Sequence, residues 1–213
     1  MRYLVSCALL TAVSFAQPLS FGVKAGVPAS DSMTPAGVRA LTTNFPTYTV
    51  GPTIQFSLDG SFAVELDALY QPVDYFSLRN LAPSTAPTHT TGNSWEFPLV
   101  LKYALFPGPV RPFVEAGASA RVLGDLNQAI GFQILSGIAT TPIFSGIATT
   151  TTTRPAELRN RFTAGYVIGG GVDLGARRFH VSPEFRYTRW GWENFFAPTT
   201  NLNQAEFLLG LRF

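Results

Sequence analysis

Apolar and polar residues alternate with a period of two in eight stretches of this chain. The pattern is clearest from Ser61 to Gln71, from Ser94 to Leu105 and from about Leu202 to Phe213, where every second residue is apolar or nearly so. A period of two indicates a β-strand with one apolar face. Five further stretches show the same alternation: Leu19–Val27, Thr47–Leu58, Pro112–Leu123, Phe162–Leu174 and Phe179–Arg189.

The connections between these predicted strands alternate between short and long. The short ones contain Asp59-Gly60, Pro107-Gly108-Pro109 and the stretch from Gly175 to Arg178. The long ones cover roughly 28–46, 72–93, 124–160 and 190–201. Each strand is close to the roughly 9–11 residues that a tilted strand needs to cross a membrane. Short periplasmic turns and long extracellular loops are typical of outer-membrane barrels. The sequence therefore predicts an all-β fold, an eight-stranded antiparallel up-and-down transmembrane β-barrel.

The first residues have the features of a secretory signal. Arg2 is followed by a mostly apolar segment from Leu4 to Phe15, and Ser14 and Ala16 place small residues where a signal peptidase cleaves. We expect residues 1–16 to be a signal peptide and residues 17–213 to form the barrel domain. Cys7, the one cysteine, lies in the signal, so we expect a mature chain without cysteine in the bacterial outer membrane.

Alternation alone leaves open which face of the strands is outside. A secreted lipocalin-like barrel would show the same period with the faces exchanged. The polar positions are rich in Gly, Ser and Thr, and their charges have both signs, which favours a narrow lumen in which charges pair. Aromatic residues lie toward the strand ends, as interface girdles do: Trp95, Tyr103, Phe106, Tyr187, Trp190, Trp192 and Phe213.

We therefore predict that the apolar face contacts lipid and that the opposite face carries a network of charges in the lumen. Its members are Lys24, Glu65, Asp67, Glu96, Lys102, Glu115, Arg121, Asp173, Glu184, Arg186, Glu206 and Arg212. A role for some of these carboxylates as catalytic acids or bases is the alternative to a structural network of ion pairs.

Composition narrows the function classes. Charged residues make up 13% of the 213 residues, against about 25% in an average soluble protein. The formal net charge of +2 gives no indication of nucleic-acid binding. His180 lies at the periplasmic end of a strand and no partner can be named for His89, so a histidine-based hydrolase is not indicated. We expect no enzymatic activity, no cofactor and no metal site.

One long connection contains a duplication. The hexapeptide Ser-Gly-Ile-Ala-Thr-Thr occurs at 136–141 and again at 145–150, followed by further threonines. We interpret this low-complexity stretch as drift in an unconstrained loop. The alternative is an extended hairpin that stands above the membrane as a binding surface.

Three motifs carry a resemblance to a known family. The segments Arg111–Gly117, Ser182–Tyr187 and Phe207–Phe213 resemble the outer-membrane β-barrel domain family, which includes OmpA/OmpX-type and PorT-like barrels. The resemblance covers essentially the whole mature chain. It implies that Phe207, Leu209, Leu211 and Phe213 form the signal that the barrel-assembly machinery reads.

Two functions stay open at this point. The first is a structural or surface-interaction role, in which a filled barrel displays extracellular loops to a partner that the sequence does not identify. The second is a small-solute pore or transporter. We expect outer-membrane lipid and the barrel-assembly machinery to be partners in either case.

Overall fold

The structure, a computed structural model, describes residues 19–30, 48–81, 84–136, 143–176, 179–195 and 202–213. No helix in these ranges is long and apolar enough to cross a membrane. The predicted signal peptide, residues 1–16, lies outside the described residues. The described ranges form ten β-strands: β1 (Leu19–Pro28), β2 (Thr49–Ser57), β3 (Phe62–Asp67), β4 (Leu69–Leu81), β5 (Ser84–Ala104), β6 (Val110–Ser136), β7 (Ile143–Thr152), β8 (Phe162–Ala176), β9 (Phe179–Trp190) and β10 (Asn203–Arg212).

The strands close into an antiparallel barrel in which eight segments form the wall. Each wall strand pairs with its neighbours in sequence, and β1 pairs with β10 to close the ring. The segments β3 and β4 together form one wall strand, with a break in the regular pairing at Ala68. Ala68 donates its N–H to the carbonyl of Pro52 at 3.0 Å, but Pro52 has no N–H to return. The predicted fold class is confirmed, with β7 as an additional strand outside the wall.

Two of the predicted long loops are β-hairpins instead. Strands β4 and β5 continue pairing as far as Leu81 and Ser84, so the prediction of a loop at 72–93 is wrong. Strand β6 runs on to Ser136 and pairs with β7. The prediction of an unconstrained loop is therefore wrong for residues 124–136 and 143–152. The second copy of the hexapeptide lies in β7, whereas 137–142 fall outside the described residues.

The two faces of the wall strands differ as the alternation predicts. Large apolar side chains point away from the lumen and are exposed, for example Leu66 at 47% and Leu99 at 52%. Their neighbours along the chain point inward and are buried, as Glu65 and Val100 show. Lipid is the solvent that makes such an exposed apolar belt stable.

A β-bulge changes the phase of β6 where the barrel wall ends. Thr91 pairs with Asn127 and Asn93 pairs with Gly124, so β6 holds one more residue than β5 in this interval. Asp125 has a φ of 45°, and its carboxylate accepts a hydrogen bond from Asn93 Nδ2 at 2.8 Å. Inward-facing positions are odd-numbered up to Leu123 and even-numbered from Leu126 onward, because the extra residue shifts the alternation.

Candidate functional site in the barrel lumen

All twelve charged residues that the alternation assigns to the lumen are buried. They are Lys24, Glu65, Asp67, Glu96, Lys102, Glu115, Arg121, Asp173, Glu184, Arg186, Glu206 and Arg212. They lie at three levels along the barrel axis: a central cluster, a group toward the extracellular end and a group toward the periplasmic end.

Lys24 of β1 is the first of three cations in the central cluster. Its Nζ lies 2.5 Å from Glu65 Oε1, 2.7 Å from Glu184 Oε2 and 3.3 Å from Asp67 Oδ2. The carboxylates come from β3 and β9, and neither of these strands pairs with β1. The contacts therefore run across the lumen as well as along its wall.

Lys102 of β5 shares two of these carboxylates. Its Nζ lies 2.7 Å from Glu184 Oε1, 2.9 Å from Glu65 Oε1 and 3.6 Å from Glu115 Oε2. The same ammonium lies 4.4 Å from the centre of the Phe113 ring, a cation–π contact. Lys102 therefore connects β5 to β3, β6 and β9.

Arg186 of β9 contacts four carboxylates. Its guanidinium nitrogens lie 2.8 Å from Asp67, 2.9 Å from Glu115, 3.3 Å from Glu184 and 3.5 Å from Glu65. A planar guanidinium with five N–H donors suits this role because it can bond in several directions at once. The central cluster thus holds three cations and four carboxylates from β1, β3, β5, β6 and β9.

The carboxylates of Glu65, Glu115 and Glu184 lie as close together as the ligands of a metal ion. One oxygen from each lies within 4.8 Å of the others. Lys24, Lys102 and Arg186 contact these three carboxylates and supply positive charge to them. The geometry is that of an ion-pair network.

A second group lies above the centre, toward the extracellular end. Arg121 Nη2 is 2.6 Å from Glu96 Oε1, and the Arg121 guanidinium stacks 4.0 Å from the centre of the Trp190 ring. Gln204 accepts hydrogen bonds from Arg121 and from Trp190 Nε1, and it donates to Glu96 and Glu206.

Neither Trp190 nor Gln204 was among the residues assigned from the sequence to the network in the lumen. The prediction that Trp190 is an interface aromatic is wrong, because its side chain is buried at 2% exposure. The alternation already contained the signal, since Trp190 has the same parity as Glu184 and Arg186. Gln204 likewise shares the parity of Glu206.

A third group lies at the periplasmic end. Asp173 accepts a hydrogen bond from Arg212 at 2.7 Å and lies 3.0 Å from His180 Nδ1. A cavity opens to solvent here and is lined in part by Lys102, Asp173 and Arg212. At its rim, hydrogen bonds from the N–H groups of Phe62 and then Ser61 hold the pKa of Asp59 below its ordinary value.

The extracellular end of the lumen is filled by apolar side chains. Val73, Tyr75, Leu123, Leu126 and Phe195 form one buried cluster, with Leu158 packed against it. The ring centres of Tyr75 and Phe195 are 5.6 Å apart. We call this cluster the cap. Sequence alternation could not reveal it, because polar side chains were expected at every inward position.

The connections before β8 and after β9 hold the cap in place. Leu158 forms an isolated β-bridge with Phe195, and Arg159 donates its N–H to the carbonyl of Asn194 at 2.8 Å. Below them, Glu157 Oε1 accepts hydrogen bonds from Tyr75 Oη at 2.8 Å and from Gln128 Nε2 at 2.6 Å. The hydroxyl group of Tyr75, the one polar side-chain group of the cap, is therefore paired.

Close packing explains two of the three consecutive glycines of β8, Gly169 and Gly171. A Cβ on Gly171 would lie 2.9 Å from Phe113 Cζ, and a Cβ on Gly169 would lie 2.7 Å from Glu115 Oε1. The glycines leave room for the Phe113 ring and for the carboxylate that contacts Arg186. These two glycines therefore accommodate bulky lumen neighbours.

The other residues that the sequence analysis discussed, the predicted assembly signal and His89, lie on the outer surface. Phe207, Leu209, Leu211 and Phe213 are exposed on the lipid-facing side of β10. His89 has a partner that the sequence did not reveal, since its Nε2 lies 2.8 Å from Asp74 Oδ1. The His89 ring also stacks on Phe76 at 4.1 Å.

Solved outer-membrane barrels have a similar chain course. Neisserial surface protein A is 13% identical with a TM-score of 0.46, and the match covers 91% of this chain and 94% of that one. OprG from Pseudomonas aeruginosa is 13% identical with a TM-score of 0.48, covering 92% and 94%. Ail of Yersinia pestis is 10% identical with a TM-score of 0.44, covering 92% and 96%.

The sequence itself identifies the family. None of the curated proteins matches the chain. The family model described as outer membrane protein beta-barrel domain matches residues 15–197, which is most of the chain and includes nine of the ten strands. Together with the closed barrel and its apolar belt, this match confirms the resemblance: the chain belongs to the outer membrane protein β-barrel domain family.

Proposed function

We propose that this protein is a structural and surface-interaction protein of the outer membrane, in which a filled barrel presents extracellular strands and loops. The observation that carries the proposal is the central cluster. Lys24, Lys102 and Arg186 join carboxylates from opposite sides of the wall across the lumen. A solute would have to break several of these buried contacts in order to pass.

The cap supports the same function. Tyr75, Leu126 and Phe195 fill the extracellular end of the lumen with buried apolar atoms. Ions and polar solutes gain nothing by entering such a cluster, because it offers few polar groups to replace their water. The lumen is therefore obstructed at two levels by different chemistry.

The strands above the cap provide the surface for interaction. Extensions of β4, β5 and β6, together with β7, form a sheet beyond the membrane wall. Exposed segments that a rigid scaffold holds in place are where binding functions concentrate. This supports the hairpin interpretation of the duplicated segment as a contact surface.

A small-solute pore or transporter is the second candidate. The periplasmic cavity favours it, because charged groups such as Lys102, Arg111 and Arg212 line a recess that is open to solvent. Such a recess is the expected entrance of a pore whose central cluster rearranges.

Conductance of the refolded protein in planar lipid bilayers separates the two functions. We expect no steady open channel from the wild type. The variant Phe195→Ala, which truncates the cap, is also expected to stay closed, because the central cluster lies below it. A steady channel in the wild type would contradict the scaffold and support the pore. A channel in Phe195→Ala alone would place the closure at the cap.

Biogenesis involves a further proposed partner. We propose that the barrel-assembly machinery reads Phe207, Leu209, Leu211 and Phe213, as the family resemblance implies. Their exposure on one side of the closing strand supports this. The absence of enzymatic activity and of a cofactor stays a prediction.

A further inference from the structure

Three arginines line a second cavity, on the extracellular side of the barrel. Arg154, Arg159 and Arg161 surround it together with Thr153 and Leu158. The cavity has a volume of about 280 Å³ and opens to solvent. All three arginines lie in the connection between β7 and β8 and are exposed.

The backbone that carries these arginines is anchored to the rest of the barrel. Arg161 Nη2 donates to the carbonyl of Thr153 at 2.9 Å, which holds the two ends of the segment together. Asn160 Nδ2 donates to the carbonyl of Glu193 at 3.1 Å. The neighbouring Leu158 packs against the cap. The backbone that carries the guanidinium groups is thus held in place before a ligand binds, which lowers the entropy cost of binding.

Acidic side chains near the cavity leave most of its positive charge uncompensated. Glu157 points inward, where Tyr75 and Gln128 hold its carboxylate. Glu193 contacts Arg159 at 3.4 Å in an exposed pair, which is a weak interaction. Within the described part of the chain, neither Arg154 nor Arg161 forms an ion pair.

The position of the cavity indicates what fills it. Arg161 directly precedes Phe162, whose ring lies 6.1 Å from that of Trp192. Both rings are exposed at the extracellular end of the wall, where aromatic residues mark the membrane interface. The arginines therefore lie at the level of the lipid headgroups.

We propose that this cavity binds a phosphate group of a glycolipid headgroup in the outer leaflet. Guanidinium groups match the oxygen geometry of phosphate and form charge-assisted hydrogen bonds with it. Basic pockets beside membrane-spanning segments bind anionic headgroups by the same chemistry. The site is separate from the lumen, so it stands whether or not the lumen conducts.

The test is native mass spectrometry of the full chain refolded in detergent micelles. The probes are bisphosphorylated lipid A, dephosphorylated lipid A and inorganic phosphate. We expect the wild type to bind bisphosphorylated lipid A, and we expect R154Q/R161Q to bind it at least about tenfold more weakly, since the double variant loses two guanidinium groups that form charge-assisted hydrogen bonds with phosphate. The control R111Q, which removes one exposed cation at the periplasmic end, should bind like the wild type.

Three results would overturn the proposal. The first is equal affinity of R154Q/R161Q and the wild type for bisphosphorylated lipid A. The second is equal binding of bisphosphorylated and dephosphorylated lipid A by the wild type. The third is binding of inorganic phosphate as tight as that of the lipid, which would assign the cavity to free phosphate. If the double variant does not refold, as judged by gel migration before and after boiling, the single variants R154Q and R161Q replace it, with a severalfold loss expected for each.

Discussion

At the scale of single residues, each cation of the central cluster contacts more than one carboxylate. Arg186 contacts four, and Lys24 and Lys102 contact three each. Burying a charge costs several kcal/mol, and only close opposite charges and hydrogen bonds compensate for it. Removing one cation therefore weakens the compensation of several buried carboxylates at once, which costs more than the loss of an isolated exposed pair.

The first prediction at this scale concerns Arg186→Met. We expect it to lower the free energy of unfolding by about 3–5 kcal/mol, as breaking a buried ion pair does. The control is Arg189→Met, three residues along β9, where the guanidinium donates to Asn203 Oδ1 at 2.6 Å and is only half-buried. We expect the control to cost under about 1 kcal/mol. Urea unfolding of both variants in lipid vesicles measures the difference, and equal costs would mean that water screens the lumen.

The sequence predicts which residues enter the lumen but not which of them meet. Lys24 had to face inward because Val23 and Ala25 face lipid, and the same reasoning places Glu184 between Pro183 and Phe185. That these two form a contact depends on the shear of the barrel, which sets the relative height of β1 and β9 and leaves no trace in either strand. The roles of Trp190 and Gln204 were missed for a related reason, since an aromatic or an amide at an inward position has no charge to suggest a partner.

At the scale of elements, the wall strands were predictable because lipid requires an apolar residue at every outward position. Beyond the membrane this requirement ends, and the extensions of β4, β5 and β6 alternate too weakly to be recognised. The bulge at Asp125 adds to the difficulty, because it shifts the phase between Leu123 and Leu126. In the sequence, such a change in the phase of the alternation resembles the end of a strand.

The lipid-facing surface of a wall strand gives the second prediction. Leu99 lies midway between Trp95 and Tyr103 on β5, so we place it near the middle of the hydrocarbon. Leu99→Arg should cost about 2–4 kcal/mol, because a charge at the bilayer midplane is expensive. Phe106→Arg, at the exposed periplasmic turn, should cost at most about 1 kcal/mol, since the penalty falls near the interface. Unfolding titrations in the same lipid test both, and a similar cost at the two positions would contradict the assignment of the outer face.

At the scale of the whole molecule, two different kinds of side-chain contact fill the lumen. The middle of the lumen is crossed by ion pairs, and the extracellular end is filled by the apolar cap. The periplasmic end stays open to solvent around Asp173 and Arg212. An open periplasmic end and a filled extracellular end are what we expect of the proposed scaffold, in which the outer strands and the Arg154–Arg161 segment make the contacts.

The most direct test of this account is the rate at which arginine side-chain protons exchange with solvent in the wild-type protein. With ¹⁵N-labelled arginine in detergent micelles, NMR can follow the Nε–H groups after transfer to deuterated water. We predict that Arg121 and Arg186 exchange much more slowly than Arg154 and Arg161, which serve as exposed references within the same molecule. Exchange at Arg186 as fast as at Arg154 would mean that water fills the lumen, and it would contradict the filled scaffold.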